Sequence, residues 1–135
     1  MSTNLDLCKD AYRFIGIIGD TQTPTAEQGV KWLRKANQLI AMEAESDMAI
    51  PSWFPQTSTA DTCPIPEYAE KWLYTATGIA MATDYGVTVT PEMVAEAQAA
   101  RAVVLRKKLY QKLKPINPTV PVAEADWNGY SILNG

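Results

Sequence analysis

The chain has 135 residues, a formal net charge of −3, and ordinary fractions of apolar (47%) and charged (20%) residues. Its length predicts one domain with a real core, since a chain of this size buries roughly two-thirds of its unfolded surface. The small net charge gives no ground by itself for a nucleic-acid partner, and no apolar run approaches the roughly 18 residues of a membrane span. Because the first residues lack the basic start and apolar stretch of a signal peptide, we expect synthesis in a reducing cytoplasm.

The composition excludes several kinds of catalytic and metal site. There is no histidine, which removes Ser-His-Asp and Cys-His catalysis and every zinc site that needs imidazole. Cys8 and Cys63 are far apart in the sequence, form no CxxC motif, and are expected to be free thiols in a reducing compartment. No glycine-rich phosphate-binding motif occurs. The sequence therefore predicts a protein that is not an enzyme and has no cofactor or metal.

Paired carboxylates are the remaining route to catalysis, because two acids about 5 to 10 Å apart can cleave a glycosidic bond. Glu43 with Asp47, and Glu92 with Glu96, have the four-residue spacing that brings side chains together on a helix. Acids spaced in this way are common on solvated helix faces. We interpret both pairs as such faces.

The first predicted helix runs from Asn4 to about Ile17, with apolar residues at steps of three and four. Gly16 and Gly19 are expected to end it.

The second predicted helix begins with Thr23 as the cap and Pro24 at the first position, and frays near Asp47. Trp32 and Leu39 lie on the shoulder of its stripe, where they belong either to the core or to a contact with a neighbouring subunit. The predicted apolar stripe of this helix is Ala26, Val30, Leu33, Ile40, Ala41 and Ala44.

Residues 50–65 are rich in proline and cannot be helical, so they predict a long loop in which Trp53 and Phe54 form at most a short strand or hairpin arm. Such loops are usually functional or mobile. A third helix is predicted from Pro66-Glu67 to Tyr85-Gly86. Its predicted face is Tyr68, Trp72, Ala76, Ile79, Ala80 and Thr83.

The fourth predicted helix begins at Thr90-Pro91-Glu92 and continues to about Lys114, with Pro115 ending it. Its predicted seam is Met93, Ala97, Ala100 and Val104, continued by Leu105, Leu109 and Leu113. Three prolines in seven residues then enforce extended backbone. The predicted fold is all-α: a four-helix up-down bundle over residues 1–114, with a long loop between helices 2 and 3, and an extended C-terminal arm over residues 115–135.

The basic end of the fourth helix has two interpretations. Arg101, Lys108 and Lys112 lie near one line at helical spacing, and Arg106 lies in the same stretch without acids. Cations there complement the helix dipole and keep the face soluble. Alternatively, they contact an acidic protein partner or DNA phosphates.

Aromatic residues outside the helices point to partner surfaces, where tryptophan is enriched. Trp53 in the loop and Trp127 in the tail are hard to bury in one small bundle. We expect the arm to be anchored on another polypeptide by Trp127, Tyr130, Ile132 and Leu133. The further candidate contacts are Trp32, Trp53, Phe54, Arg101, Arg106, Lys108 and Lys112.

The order and spacing of these features resemble a known family. Pro66-Glu67-Tyr68 opens an alanine-rich helix, Asp84-Tyr85-Gly86 follows it, and Thr90-Pro91-Glu92 opens another long helix. With the opening helix pair and the aromatic tail, this is similar to the head-to-tail connectors of tailed bacteriophages, in particular the tail accessory (packaged-DNA stabilising) factors of short-tailed phages.

The resemblance implies a structural virion protein at the head-tail junction. Such a subunit forms a ring, usually of twelve copies, that docks under the portal protein. The ring closes the DNA exit channel, with possible contact to packaged DNA, and provides a platform for downstream tail proteins. Two alternatives remain: a non-viral helical protein-interaction module, and a nucleic-acid binder that uses the basic end of helix 4.

Overall fold

The computed structural model describes residues 1–113, which contain four α-helices and no β-strand. The helices are α1 (Asn4–Phe14), α2 (Ala26–Met42), α3 (Glu67–Ala82) and α4 (Pro91–Leu113), and a 3₁₀ turn (Thr83–Tyr85) extends α3. The all-helical prediction is confirmed for this range. Residues 1–105 form one compact unit, while residues 106–113 belong to a second unit and are described separately. The predicted arm lies outside the described residues, so the domain boundary after residue 114 stays a prediction.

The two ends of α1 are determined by local chemistry. The Thr3 hydroxyl accepts a hydrogen bond from the backbone N–H of Asp6 at 3.2 Å, and the Asp6 carboxylate accepts one from the N–H of Thr3 at 3.1 Å. This reciprocal capping box satisfies two amides that have no partner within the helix. Gly16 adopts a φ of 78°, a conformation that glycine tolerates best. The helix therefore ends at Phe14, three residues before the predicted end at Ile17.

The predicted start of α2 at Thr23 and Pro24 is wrong by two residues. Thr25 is the cap, accepting from the N–H of Gln28, and the Gln28 side chain accepts from the N–H of Thr25 at 2.9 Å. If Thr23 were the cap, Ala26 would occupy the third helical position. Alanine has no side-chain oxygen that could accept a hydrogen bond from the N–H of the cap residue. The position with the complete capping box therefore starts the helix.

The buried face of α2 also differs from the predicted stripe. Leu33 and Ile40 are buried as expected, but Val30 is 59% exposed, and Ala26, Ala41 and Ala44 are exposed too. The buried residues of α2 are Gly29, Trp32, Leu33, Ala36 and Ile40. The face is rotated because the large indole of Trp32 enters the core, where its Nε1 donates to the Thr77 hydroxyl at 3.0 Å.

Helix α3 packs against both α1 and α2. At Gly78, a β-carbon would lie 3.1 Å from the Ala11 carbonyl oxygen, so α1 approaches the α3 backbone closely there. Burial on two sides replaces the single predicted face, of which Ala80 and Thr83 are exposed. The buried residues of α3 are Ala69, Trp72, Leu73, Thr75, Thr77, Gly78, Met81 and Ala82.

The loop between α2 and α3 packs as part of the core. Met48, Ile50, Cys63 and Ile65 are buried. Loop carbonyls accept hydrogen bonds from the first amides of α1, and the N–H of Cys63 donates to the carbonyl of Ser2 near the chain start. The predicted short strand or hairpin arm at residues 53–54 does not form, and an isolated bridge between residues 3 and 62 is the β-type pairing of this region.

Helix α4 begins where the sequence predicts, with the N–H of Met93 donating to the Thr90 hydroxyl at 3.2 Å. Ala100 and Val104 of the predicted seam are buried, but Leu109 is 56% exposed, so the seam does not continue through Leu109. No helix within residues 1–113 has both the length and the apolar character that crossing a bilayer requires.

Candidate functional site

An open groove of about 340 Å³ lies where the end of α2 meets the following loop. We call it the α2 groove. One side is formed by Asn37, Ile40, Ala41 and Ala44, and the other by loop residues 49–51, 53 and 55. Its volume is at the lower end of the roughly 300–1,000 Å³ that is typical of ligand-binding clefts.

The loop side of the groove is held by amide hydrogen bonds. The side chain of Asn37 donates to the carbonyl of Gln56 and accepts from its N–H, both at 2.9 Å. The buried Gln56 side chain in turn donates to the carbonyl of Phe54 and accepts from the side-chain amide of Asn4. These bonds connect the loop to α1 and α2, so hydrogen bonds to two helices hold the loop side of the groove in place.

The lining of the groove is mostly apolar. Its carboxamide, on Asn37, is already bonded to the backbone of Gln56 on both atoms, and no lining residue has a titratable side chain. The arrangement can therefore bury apolar groups, at about 25 cal/mol per Å² removed from water. It offers no acid or base for chemistry.

Glu43, which follows α2, forms an ion pair with Arg101 of α4. The guanidinium Nη1 is 2.6 Å from Oε2 of the carboxylate, and the side chains are 44% and 19% exposed. The last turn of α2 has no basic residue of its own, so Arg101 supplies the cation that complements the dipole there. A pair this exposed contributes about 0–1 kcal/mol. Arg101 thus has an acidic partner within its own chain.

One acid of each predicted carboxylate pair forms an ion pair with a basic residue elsewhere in the chain. Glu43 is engaged by Arg101, and Glu96 lies 3.3 Å from the ammonium of Lys71 on α3. These contacts cross between helices, so the two acids act as links between elements. Within residues 1–113, no cluster of three or more potential metal-ligating side chains occurs.

A second polar cluster joins α2 to the end of α3. Lys31 and Lys35 approach the Asp84 carboxylate at 3.3 and 3.7 Å, and the Lys31 ammonium lies 4.7 Å from the centre of the Tyr85 ring. The hydroxyls of Tyr85 and Tyr12 are 2.9 Å apart, and Tyr12 also donates to the carbonyl of Gln28. Burial, followed by the hydrogen bond to Tyr85, raises the pKa of Tyr12. The cluster stabilises the junction of α1, α2 and the 3₁₀ turn.

Both cysteines are free thiols, as expected from the sequence, and both are buried. Burial raises the pKa of Cys8 to about 12, and burial together with the nearby Glu70 raises the pKa of Cys63 to about 12. Because the thiolate is the reactive form, neither cysteine has the character of a nucleophile or redox site.

The predicted partner residues have different positions in the structure. Trp32 is fully buried. It therefore belongs to the core, and its prediction as a contact with a neighbouring subunit is wrong. Trp53 is half-buried and lines the α2 groove, while Phe54 beside it is 60% exposed.

The remaining candidates lie near or beyond the end of the described chain. Arg106 is exposed and Lys108 is half-buried. The side chain of Lys112 is outside the described residues. So are the arm anchors, namely Trp127, Tyr130, Ile132 and Leu133.

Sequence reasoning missed the α2 groove and the exposed apolar end of α4. Ala41 and Ala44 were assigned to the core stripe of α2, and Tyr110, which is 64% exposed, was not singled out. The sequence carries no signal for the groove, because the predicted second helix extends to near Asp47 and so includes both alanines. Comparison with protein-family models gave no match, and neither did comparison with curated protein sequences.

Proposed function

We propose that this protein is a structural, non-enzymatic subunit that assembles through apolar surfaces into a larger complex. The observation that carries this proposal is the exposed apolar surface on the described part of the chain, outside the core formed by its buried residues. Large apolar side chains are exposed in the groove-forming loop at Phe54 and near the end of α4 at Leu109 and Tyr110. Exposed aromatic and leucine side chains, and an apolar groove, are each typical of surfaces that bind other proteins.

The complex that best fits the sequence resemblance is a ring at the head-tail junction of a tailed phage. In this proposal, about twelve copies dock under the portal protein, close the DNA exit channel, and present a platform for tail proteins in the virion. The fold would be an up-down bundle with its C-terminal arm, residues 115–135, reaching a neighbouring polypeptide. Stacking of small helical subunits side by side gives a heterologous interface that closes by rotation. No cofactor takes part.

The test is to mix the full-length protein with candidate portal proteins and to examine the particles by electron microscopy and native mass spectrometry. We expect a closed ring of defined copy number on the portal. A protein that stays monomeric at every concentration, and binds no portal, would contradict the proposal and support a non-viral interaction module. Tight, salt-sensitive binding of duplex DNA by such a monomer would support the nucleic-acid alternative instead.

A further inference from the structure

The end of α4 exposes apolar side chains among cations. Leu109 is 56% exposed and Tyr110 is 64% exposed. Arg106 lies three positions before Leu109 and four before Tyr110, so its side chain is a neighbour of both on the helix surface. Arg106 and Lys107 are themselves exposed. This surface, which we call the basic apolar end, therefore combines a two-residue apolar contact with adjacent positive charge.

The α2 groove has the complementary character. Its lining is mostly apolar, and exposed Glu45 and Asp47 lie in the segment between the lining residues Ala44 and Ala49. Among the ion pairs described for residues 1–113, none involves Glu45 or Asp47, whereas Glu43 is occupied by Arg101. The groove is thus a mostly apolar recess, and the segment that links its two sides contains two exposed acids outside the described ion pairs.

The charges are also unevenly distributed along the chain, with an acidic excess in residues 1–105 and a basic cluster in residues 106–114. Residues 1–105 contain thirteen acidic and seven basic side chains, whereas residues 106–114 contain five basic and no acidic side chains. Two copies of the chain therefore attract each other when the basic end of one meets the acidic body of the other. This complementarity favours a second copy as the occupant of the groove.

We infer that the α2 groove of each copy binds Leu109 and Tyr110 of an adjacent copy, with Arg106 and Lys107 facing Glu45 and Asp47. The inference rests on the proposed function, because it supplies the contact by which subunits join. The two surfaces are different parts of the chain, so the interface is heterologous. Each copy uses its groove on one neighbour and its basic apolar end on the other, and a chain of such contacts closes when the rotation allows a ring.

The experiment uses two full-length variants. Leu109→Ser with Tyr110→Ser removes the apolar end, and Ala41→Gln with Ala44→Gln fills the groove; all four positions are exposed, so folding is preserved. We expect each variant to self-associate at least roughly tenfold more weakly than the wild type in analytical ultracentrifugation. Val30→Ser is the matched control, because Val30 is an exposed apolar residue of α2 outside the groove, and it should associate like the wild type.

Mixing the two variants gives the sharper test. The groove-filled variant keeps its basic apolar end, and the other variant keeps its groove, so together they can form a single contact. We expect a one-to-one heterodimer that grows no further. A mixture that stays monomeric, or variants that assemble like the wild type, would overturn the inference.

A cross-link locates the contact directly. Tyr110→Cys in one copy and Ala44→Cys in another should form an intermolecular disulfide, while the native thiols stay buried. A different occupant is revealed if Trp127→Ser with Tyr130→Ser abolishes assembly while the Leu109 and Tyr110 variant assembles normally. That result would overturn the inference and assign the groove to the arm.

Failure of the inference is distinguishable from failure of the proposed function. Rings that form on the portal with all groove variants overturn the inference alone. Where the wild type assembles only on the portal, copy number on the portal replaces ultracentrifugation as the measurement for the same variants. A wild-type protein that assembles in neither setting contradicts both.

Discussion

The indole of Trp32 shows how one buried polar group determines the face of a helix. Its N–H lies in the core and is satisfied by the hydroxyl of Thr77, which itself donates to the carbonyl of Leu73 on its own helix. A buried donor without an acceptor costs about 1–3 kcal/mol. The rotation of α2 that brings these two side chains together therefore leaves Val30 in solvent.

Thr77→Val should destabilise the protein by about 1–3 kcal/mol, because the variant keeps the side-chain shape but leaves the Trp32 N–H without an acceptor. Thr75→Val is the matched control. Thr75 is also buried in α3, but its hydroxyl bonds only carbonyls of its own helix, and its loss should cost clearly less. Urea unfolding followed by tryptophan fluorescence measures both free energies of unfolding. Equal losses would show that the indole bond is not the cause.

The buried thiols predict a loss of stability in alkaline solution. Cys8 and Cys63 have a pKa of about 12 in the folded chain, against about 8.5 when unfolded. Above pH ~8.5 the unfolded chain therefore binds fewer protons than the folded chain, so the free energy of unfolding falls as pH rises towards 12. The slope should reach about 1.4 kcal/mol per pH unit for each cysteine. Urea midpoints between pH 7 and 10 should fall less steeply for Cys8→Ala than for the wild type, and an unchanged slope would contradict the assignment.

At the scale of elements, the helix ends follow from side chains within a few residues of each end. Thr3 and Thr25 each form a complete capping box, and Gly86, with a φ of 69°, ends the 3₁₀ turn. The conformation of the loop after α2 is not determined by neighbouring residues in the sequence. It is held by Asn4, Asn37 and Gln56, which are distant in sequence, so its packing depends on the assembled fold.

Thr25→Ala should cost about 1 kcal/mol of stability, within the roughly 0.5–2 kcal/mol found for caps, since it removes the side-chain acceptor of the Gln28 amide. Thr23→Ala changes an exposed residue before the helix and should be nearly neutral. Thermal and urea unfolding of the two variants compare the positions. A larger loss at Thr23 would restore the start predicted from the sequence.

At the scale of the whole molecule, charge is the property that the proposed assembly uses. Ion pairs within residues 1–105, such as Arg101 with Glu43, link helices, whereas none of the ion pairs described for residues 1–113 includes Glu45 or Asp47. Attraction between exposed charges is screened beyond about 10 Å at 0.1 M salt and about 3 Å at 1 M. Burial of Leu109 and Tyr110 is not screened in this way.

Self-association should therefore weaken with salt, by roughly tenfold between 0.05 and 0.5 M NaCl, without disappearing. Arg106→Gln with Lys107→Gln should have weaker association at low salt and a smaller dependence on salt. Sedimentation velocity at several salt concentrations gives both slopes. Association that strengthens with salt in the wild type would contradict a role for these charges.

Much of the secondary structure could be predicted from the sequence because its causes are local. The threonine and proline at residues 90 and 91, the glycine at residue 86, and the prolines after residue 50 act on backbone within one turn of their own positions. The lack of histidine likewise limited the chemistry without any coordinates. These observations predicted the four helices of residues 1–113 and the starts of α1, α3 and α4, but neither the end of α1 nor the two ends of α2.

The tertiary structure alone decided which faces are buried and which acids are paired. A stripe of apolar residues on α2 fits two rotations about equally well, and the choice depends on Thr77, 45 positions away from Trp32. Arg101 and Glu43 are separated by 58 positions, so helical spacing could not reveal that this cation is already neutralised. The α2 groove has the same origin, because its two sides meet only after the loop has packed against α2.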